Sequence, residues 1–102
     1  GAGYGVGLAI FAYGTTGSFT NVSNKVNFEG VVQSSSTGVG TARTSIAAAS
    51  YGGDKAIFAY GGYSPNVNTR NLVSNTGVVA ADATGAGTAR YDLTALGYSI
   101  TA

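Results

Sequence analysis

Arg43 and Arg90 each close the same seven-residue phrase, TGxGTAR, at residues 37–43 and 84–90. A guanidinium presents a rigid fork of N–H donors that suits carboxylates, sulfates and sugar hydroxyls, so a recurring Arg is a candidate ligand contact. Recurrence has a structural explanation too. A side chain placed alike in successive units is expected to bond the backbone or an acid of the neighbouring unit, and that is the role assigned to both arginines here. The aspartates Asp54, Asp82 and Asp92 do not recur, since Gly7, Ser35 and Ser45 stand at the matching positions. General acid–base work on a glycosidic bond needs two carboxylates held about 5 to 10 Å apart, and a calcium loop needs dense Asp/Asn spacing. Neither pattern is present. Asp54 reads as a turn residue, Asp82 as a strand end and Asp92 as exposed. The chain contains no His and no Cys, so it offers no imidazole base, thiol nucleophile or His/Cys metal site. An enzyme is not expected, nor a metal, nor any other cofactor. The glycine cluster GAGYGVG at residues 1–7 has dinucleotide-loop spacing, but its counterpart AASYGGD at residues 48–54 reads as a hairpin turn rather than a strand-to-helix loop.

Aromatic residues divide into two groups. Tyr13 and Tyr60 recur, as do Phe11 and Phe58, and such positions are expected to supply core or inter-unit packing. Tyr63 and Tyr91 do not recur. With Asn66 and Asn68, they are the candidate ligand-binding residues, because Tyr63, Pro65, Asn66 and Asn68 lie in the loop that varies most between units. Loops that vary on a repeated scaffold are where specificity tends to reside.

What positions these residues is an internal repeat. Sliding the chain by 47 residues lays 8–54 over 55–101 without a gap, and about twenty positions are identical, AIFAYG at 9–14 and 56–61 among them. Residues 1–7 are read as the end of a first strand from a preceding repeat, 8–54 as repeat 1, and 55–102 as repeat 2 with the first strand of the next. Such a period marks a solenoid or propeller, in which each unit buries its apolar face against its neighbours. Two units and a little, with cut ends, cannot close a ring of four to eight blades. The chain is expected to be a section of a longer one, or a protomer of a ring completed by copies of itself.

Composition agrees with a packed β structure. Hydrophobic residues make up 44% and charged residues 9% of 102, which excludes charge-driven disorder, and 17 glycines suit tight turns and close backbone approach. The net charge of +1 comes from scattered groups, so no basic stripe exists to hold nucleic acid. No apolar run approaches the roughly 20 residues of a membrane-spanning helix, and membrane insertion is not expected.

Four short strands are expected per unit. In the second unit they cover residues 45–51, 55–60, 70–75 and 77–82, the first two joined by a GGD hairpin turn. The run Ala-Ile-Phe-Ala-Tyr does not alternate strictly, so the second strand is expected to be buried on both faces. A further first strand is expected over 91–98. The fold class is therefore all-β, with four-stranded propeller-type blades; a linear β-solenoid or stacked-sheet fibre is the alternative.

Written from its Arg, the unit RTSIAAASYGGDKAIFAYGGY followed by NLVSNTGVV resembles a kelch repeat. Arg43, Ala47 to Ala49, Ile57, Phe58, Tyr60, Gly61 and Gly62 stand where that pattern has a basic residue, an apolar first strand and a second strand ending in Gly-Gly. The sequence departs from it too. No Trp follows the Gly-Gly pair, Leu72 and Val73 occupy the third strand, and Thr15 replaces the second glycine in the first unit. The wording DKAIFAYG, NLVSNTGVV and GTAR looks like the kelch-like arrays of bacteriophage tail-fibre and other virion proteins. That resemblance implies a non-enzymatic structural or adhesion module at a virion surface or otherwise outside the cell. The partners it implies are further repeats or copies of the same chain, other virion proteins and a cell-surface glycan. A self-associating extracellular fibre or sheath subunit is the alternative.

Overall fold

The structure, a computed structural model, describes residues 1–62 and 65–98. Among the described residues there are six strands: β1 Ala2–Tyr4, β2 Leu8–Ala12, β3 Ser23–Val26, β4 Ala47–Tyr51, β5 Lys55–Ala59 and β6 Arg70–Val73. They form two antiparallel three-stranded sheets, β1-β2-β3 and β4-β5-β6. The 47-residue period is kept in register. Tyr4 pairs with Leu8 as Tyr51 pairs with Lys55, and Ala12 with Ser23 as Ala59 with Arg70.

The all-β class is as expected, but the sheets are open and three-stranded where four-stranded blades were anticipated. The segment expected as a fourth strand forms isolated β-bridges with β6 at Arg70–Ala83 and Val73–Val79 rather than a continuous ladder, and the first unit repeats this at Ser23–Ser36 and Val26–Val32. Three steps along β6 are matched by four along its partner, so one residue is extra. That is the signature of a β-bulge, which breaks a ladder and twists an edge. The side-chain amide of Asn71 bonds Ala80 O at 3.1 Å in the disturbed stretch, and Asn24 bonds Gln33 O at 3.1 Å one period earlier. The segment 91–98 also forms no strand. It lies against β4 all the same: a Cβ on Gly97 would meet Ser50 O, and one on Gly3 would meet Ser50 Oγ, one period back.

The two sheets stack face to face, and their core is built from unlike faces of like strands. Sheet one contributes Tyr4, Ile10 and Tyr13; sheet two contributes Ala56, Phe58 and Val73. Side chains alternate across a strand, so the residues next to these point away from the seam. Phe11 is thus 55% exposed although its repeat counterpart Phe58 is 1% exposed. Each second strand consequently buries one face, not both. The expectation failed because a sheet with a neighbour on one side has only that side covered.

A Tyr-Gly corner ends each second strand. Tyr13 and Tyr60 hold left-handed backbone at φ 68° and 64°, a conformation that costs a non-glycine residue about 1 kcal/mol. Gly61 follows at φ 120°, and a Cβ there would press on Ile46 and on Thr44 O at 2.9 Å. Gly14 shares the left-handed backbone at φ 105° although a Cβ there would meet nothing, so it is the positive φ that accounts for the recurrence of the dipeptide.

Candidate functional site

At the centre of a dense hydrogen-bond network is Arg43, which has no accessible surface. Its Nε donates to Tyr60 O at 2.8 Å, Nη1 to Thr41 O at 3.0 Å and Nη2 to Asn71 Oδ1 at 2.8 Å. Its Cζ lies 4.5 Å from the centroid of the Tyr13 ring, whose hydroxyl donates to Val39 O at 3.0 Å. One guanidinium therefore clasps the backbone corner and third strand of unit two while stacking on the corner tyrosine of unit one. A buried charge must be surrounded by acceptors, and here carbonyls and an amide supply them in place of a direct ion pair.

Asp82 completes the clasp from outside. Its carboxylate accepts from Thr41 N at 3.1 Å, from Thr41 Oγ1 and from Asn71 Nδ2 at 2.9 Å. Lost hydration alone would raise this carboxyl, but the Thr41 and Asn71 donors and the Arg43 charge together outweigh it and hold it below the ordinary carboxylate value. A carboxyl with a depressed native pKa contributes stability above its unfolded pKa and loses it as pH falls through the native one. Unfolding midpoints should therefore drop on acidification below about pH 4, with a shallower fall in Asp82→Asn. Part of the fall will persist in that variant. Asp54 is held low as well, chiefly by its bond from Lys55 Nζ at 3.0 Å and by that from Asn75.

Arg90 repeats the motif without the enclosure. It is exposed, its Nη1 donates to Thr88 O at 3.0 Å, and its Cζ lies 4.1 Å from the Tyr60 centroid. Both arginines thus bond backbone and stack on tyrosine, and only Arg43 is also gripped by a following unit.

A second feature opens beside this seam. Phe19, Thr44, Ser45, Gly62, Pro65, Asn66 and Tyr91 line a cleft of about 480 Å³. Phe19 and Asn66 are repeat counterparts, as are Thr44 and Tyr91, so the two units frame the cleft with equivalent positions carrying different side chains. Tyr91 is 52% exposed there. Asp92 N donates to Ser45 O at 3.0 Å, which fixes the segment that carries Tyr91. The described lining residues offer aromatic, amide and hydroxyl groups, and none of them carries a charge.

Of the four ligand candidates read from sequence, Asn66 and Tyr91 meet in this cleft, while Tyr63 lies outside the described residues. Asn68 does not line it. Its Nδ2 donates to Gly87 O at 3.0 Å, as Asn21 Nδ2 does to Gly40 O at 2.7 Å, so it ties a loop to the TGxGTAR connector in both units. The close approach is visible at Gly85 as well, where a Cβ would overlap Asn68 O. Sequence reasoning passed over Asn71 and read Asp82 only as a strand end. Asn71 recurs as Asn24 and its role was accessible from that; Asp82 replaces Ser35 and carried no repeat signal. No protein family matches the sequence, and no curated protein is significantly similar to it.

Proposed function

We propose that the chain is a non-enzymatic structural and adhesion module, a run of kelch-like propeller blades of a bacteriophage tail fibre or virion surface decoration, displaying loops to a glycan or a neighbouring protein. The observation that carries this reading is the cleft at the seam: equivalent loop positions of two clasped units present unlike side chains to solvent. A scaffold that repeats its internal bonds while varying its rim separates stability from specificity. Face-to-face stacking of successive sheets supports blades as the architecture, and the exposed position of the cleft suits a partner met at a virion surface or outside the cell.

The lining suggests the ligand class. Aromatic faces take the apolar face of a pyranose ring, and amide and hydroxyl groups pair with sugar hydroxyls. With no charged group to answer a carboxylate or sulfate, the site favours a neutral saccharide. Binding to a panel of immobilised neutral hexose oligosaccharides should therefore exceed binding to sulfated ones. Tyr91→Ala and Asn66→Ala should each weaken it about tenfold or more while the melting temperature stays near that of the parent. Absence of binding to every member of the panel, or equal binding by parent and both variants, would overturn the reading.

A further inference from the structure

We infer that the exposed Arg90 face is a docking surface for a second copy of this chain, joined head to tail by the same clasp that Arg43 makes inside one copy. This goes beyond the saccharide reading and does not depend on it. Three observations one period apart point to the same occupant.

The first is the donor set. Arg43 uses Nε and Nη2 on Tyr60 O and Asn71 Oδ1, whereas Nε and Nη2 of Arg90 have no partner among the described residues. The second is the acceptor set. Tyr13 and Asn24 stand one period before Tyr60 and Asn71. Asn24 Nδ2 is already spent on Gln33 O and Ser35 Oγ, both at 3.1 Å, in the same way that Asn71 Nδ2 is spent on Ala80 O and Asp82. Asn24 Oδ1 accepts from no donor among the described residues, and it matches the atom that in Asn71 receives Arg43. The third is apolar. Phe58 packs with Tyr13 in a T-shaped arrangement, ring centroids 5.5 Å apart. Its exposed counterpart Phe11 is placed to meet Tyr60 of a preceding copy in the same way.

The two faces differ, so the contact is heterologous and builds a ring if its rotation closes, or an open filament if it does not. Residues 96–98 stand two periods on from β1 and lie beside Ile57 on the face to be covered. In the docked pair that place belongs to β1 of the incoming copy, because β1 is held in a ladder by β2 and the 96–98 segment is held in none among the described residues.

One difference between the seams makes the inference testable by a gain. Within a chain, Thr41 N and Oγ1 bond the Asp82 carboxylate; between copies, the corresponding Thr88 faces Ser35, a neutral hydroxyl. Ser35→Asp restores the carboxylate and should tighten self-association about tenfold, since charge-assisted hydrogen bonds are roughly twice as strong as neutral ones. Arg90→Ala and Phe11→Ala, both at exposed positions, should weaken it about tenfold or more. Sedimentation velocity of the full chain and the three variants over a wide concentration range reads all of these, with circular dichroism reporting the fold. Association that rises in Ser35→Asp and falls in Arg90→Ala and Phe11→Ala supports the clasp. A chain that stays monomeric in both parent and Ser35→Asp overturns it, as does association that Arg90→Ala leaves unchanged.

Discussion

Arg43→Ala is expected to destabilise the fold by about 4 kcal/mol, and Arg90→Ala, the same substitution in the same heptapeptide, by under about 1 kcal/mol. Three hydrogen bonds from a charged donor vanish at Arg43, and they are of the kind worth about 1.5 to 3 kcal/mol each before relaxation. Asn71 Oδ1 and Tyr60 O are left without that donor in a space closed to solvent. Asp82 loses the positive charge that helps hold it ionised, so its acid sensitivity shifts upward as well. At Arg90 water already reaches the fork, and the variant gives up one bond to Thr88 O and a ring contact. Domains of this size unfold at a total cost of about 5 to 15 kcal/mol, so the Arg43 variant should melt about 20 °C lower or fail to fold at 37 °C. Urea titration followed by tyrosine fluorescence measures the pair directly. Equal losses for the two variants would mean that the clasp does not depend on burial.

The second large effect contrasts two phenylalanines. Phe58→Ala should cost about 3 to 5 kcal/mol, the usual range for truncating a buried Phe, because it empties the centre of the seam among Ile10, Tyr13 and Val73. Phe11→Ala should change stability by no more than about 0.5 kcal/mol in the monomer, since the ring faces solvent. Conservative changes sharpen the comparison: Phe58→Leu should recover about half of the loss, whereas Phe11→Leu should be silent. Melting curves at low protein concentration keep association from masking the Phe11 result. A loss at Phe11 comparable with that at Phe58 would contradict the stacking of unlike faces described above.

Much of the fold was legible in the residues. The overlay of AIFAYG on itself fixed the positions of β2 and β5, the GGD turn fixed the β4–β5 hairpin, and the recurrence of Tyr13 and Tyr60 marked the corners. Recurrence reports what every unit needs for its own folding and for meeting its neighbour, and it therefore singled out the arginines and the corner tyrosines, but not the stacking of one on the other. It could not report the bulge. Nothing in VVQSSS or VVAADA announces an extra residue, since a bulge is a mismatch between two strands and is invisible in either alone.

The candidate cleft was half visible. Asn66 and Tyr91 stood out because they break the repeat, but Phe19, Thr44 and Ser45 become lining residues only when the loop of one unit is laid beside that of the next. Asn68 looked like a member of a variable loop, and its bond to Gly87 O shows that it keeps its neighbourhood closed.

By itself, then, the sequence determined the repeat unit, its strand-rich character and the residues that each unit must carry, because those follow from local pattern and period. Tertiary structure alone decided which copy of each repeated residue is buried. Arg43 and Arg90, and likewise Phe11 and Phe58, are identical in local sequence, and their fates diverge because a sheet covers one member of each pair and water the other. Burial is a property of the neighbour, and no residue's own surroundings in sequence encode on which side that neighbour lies.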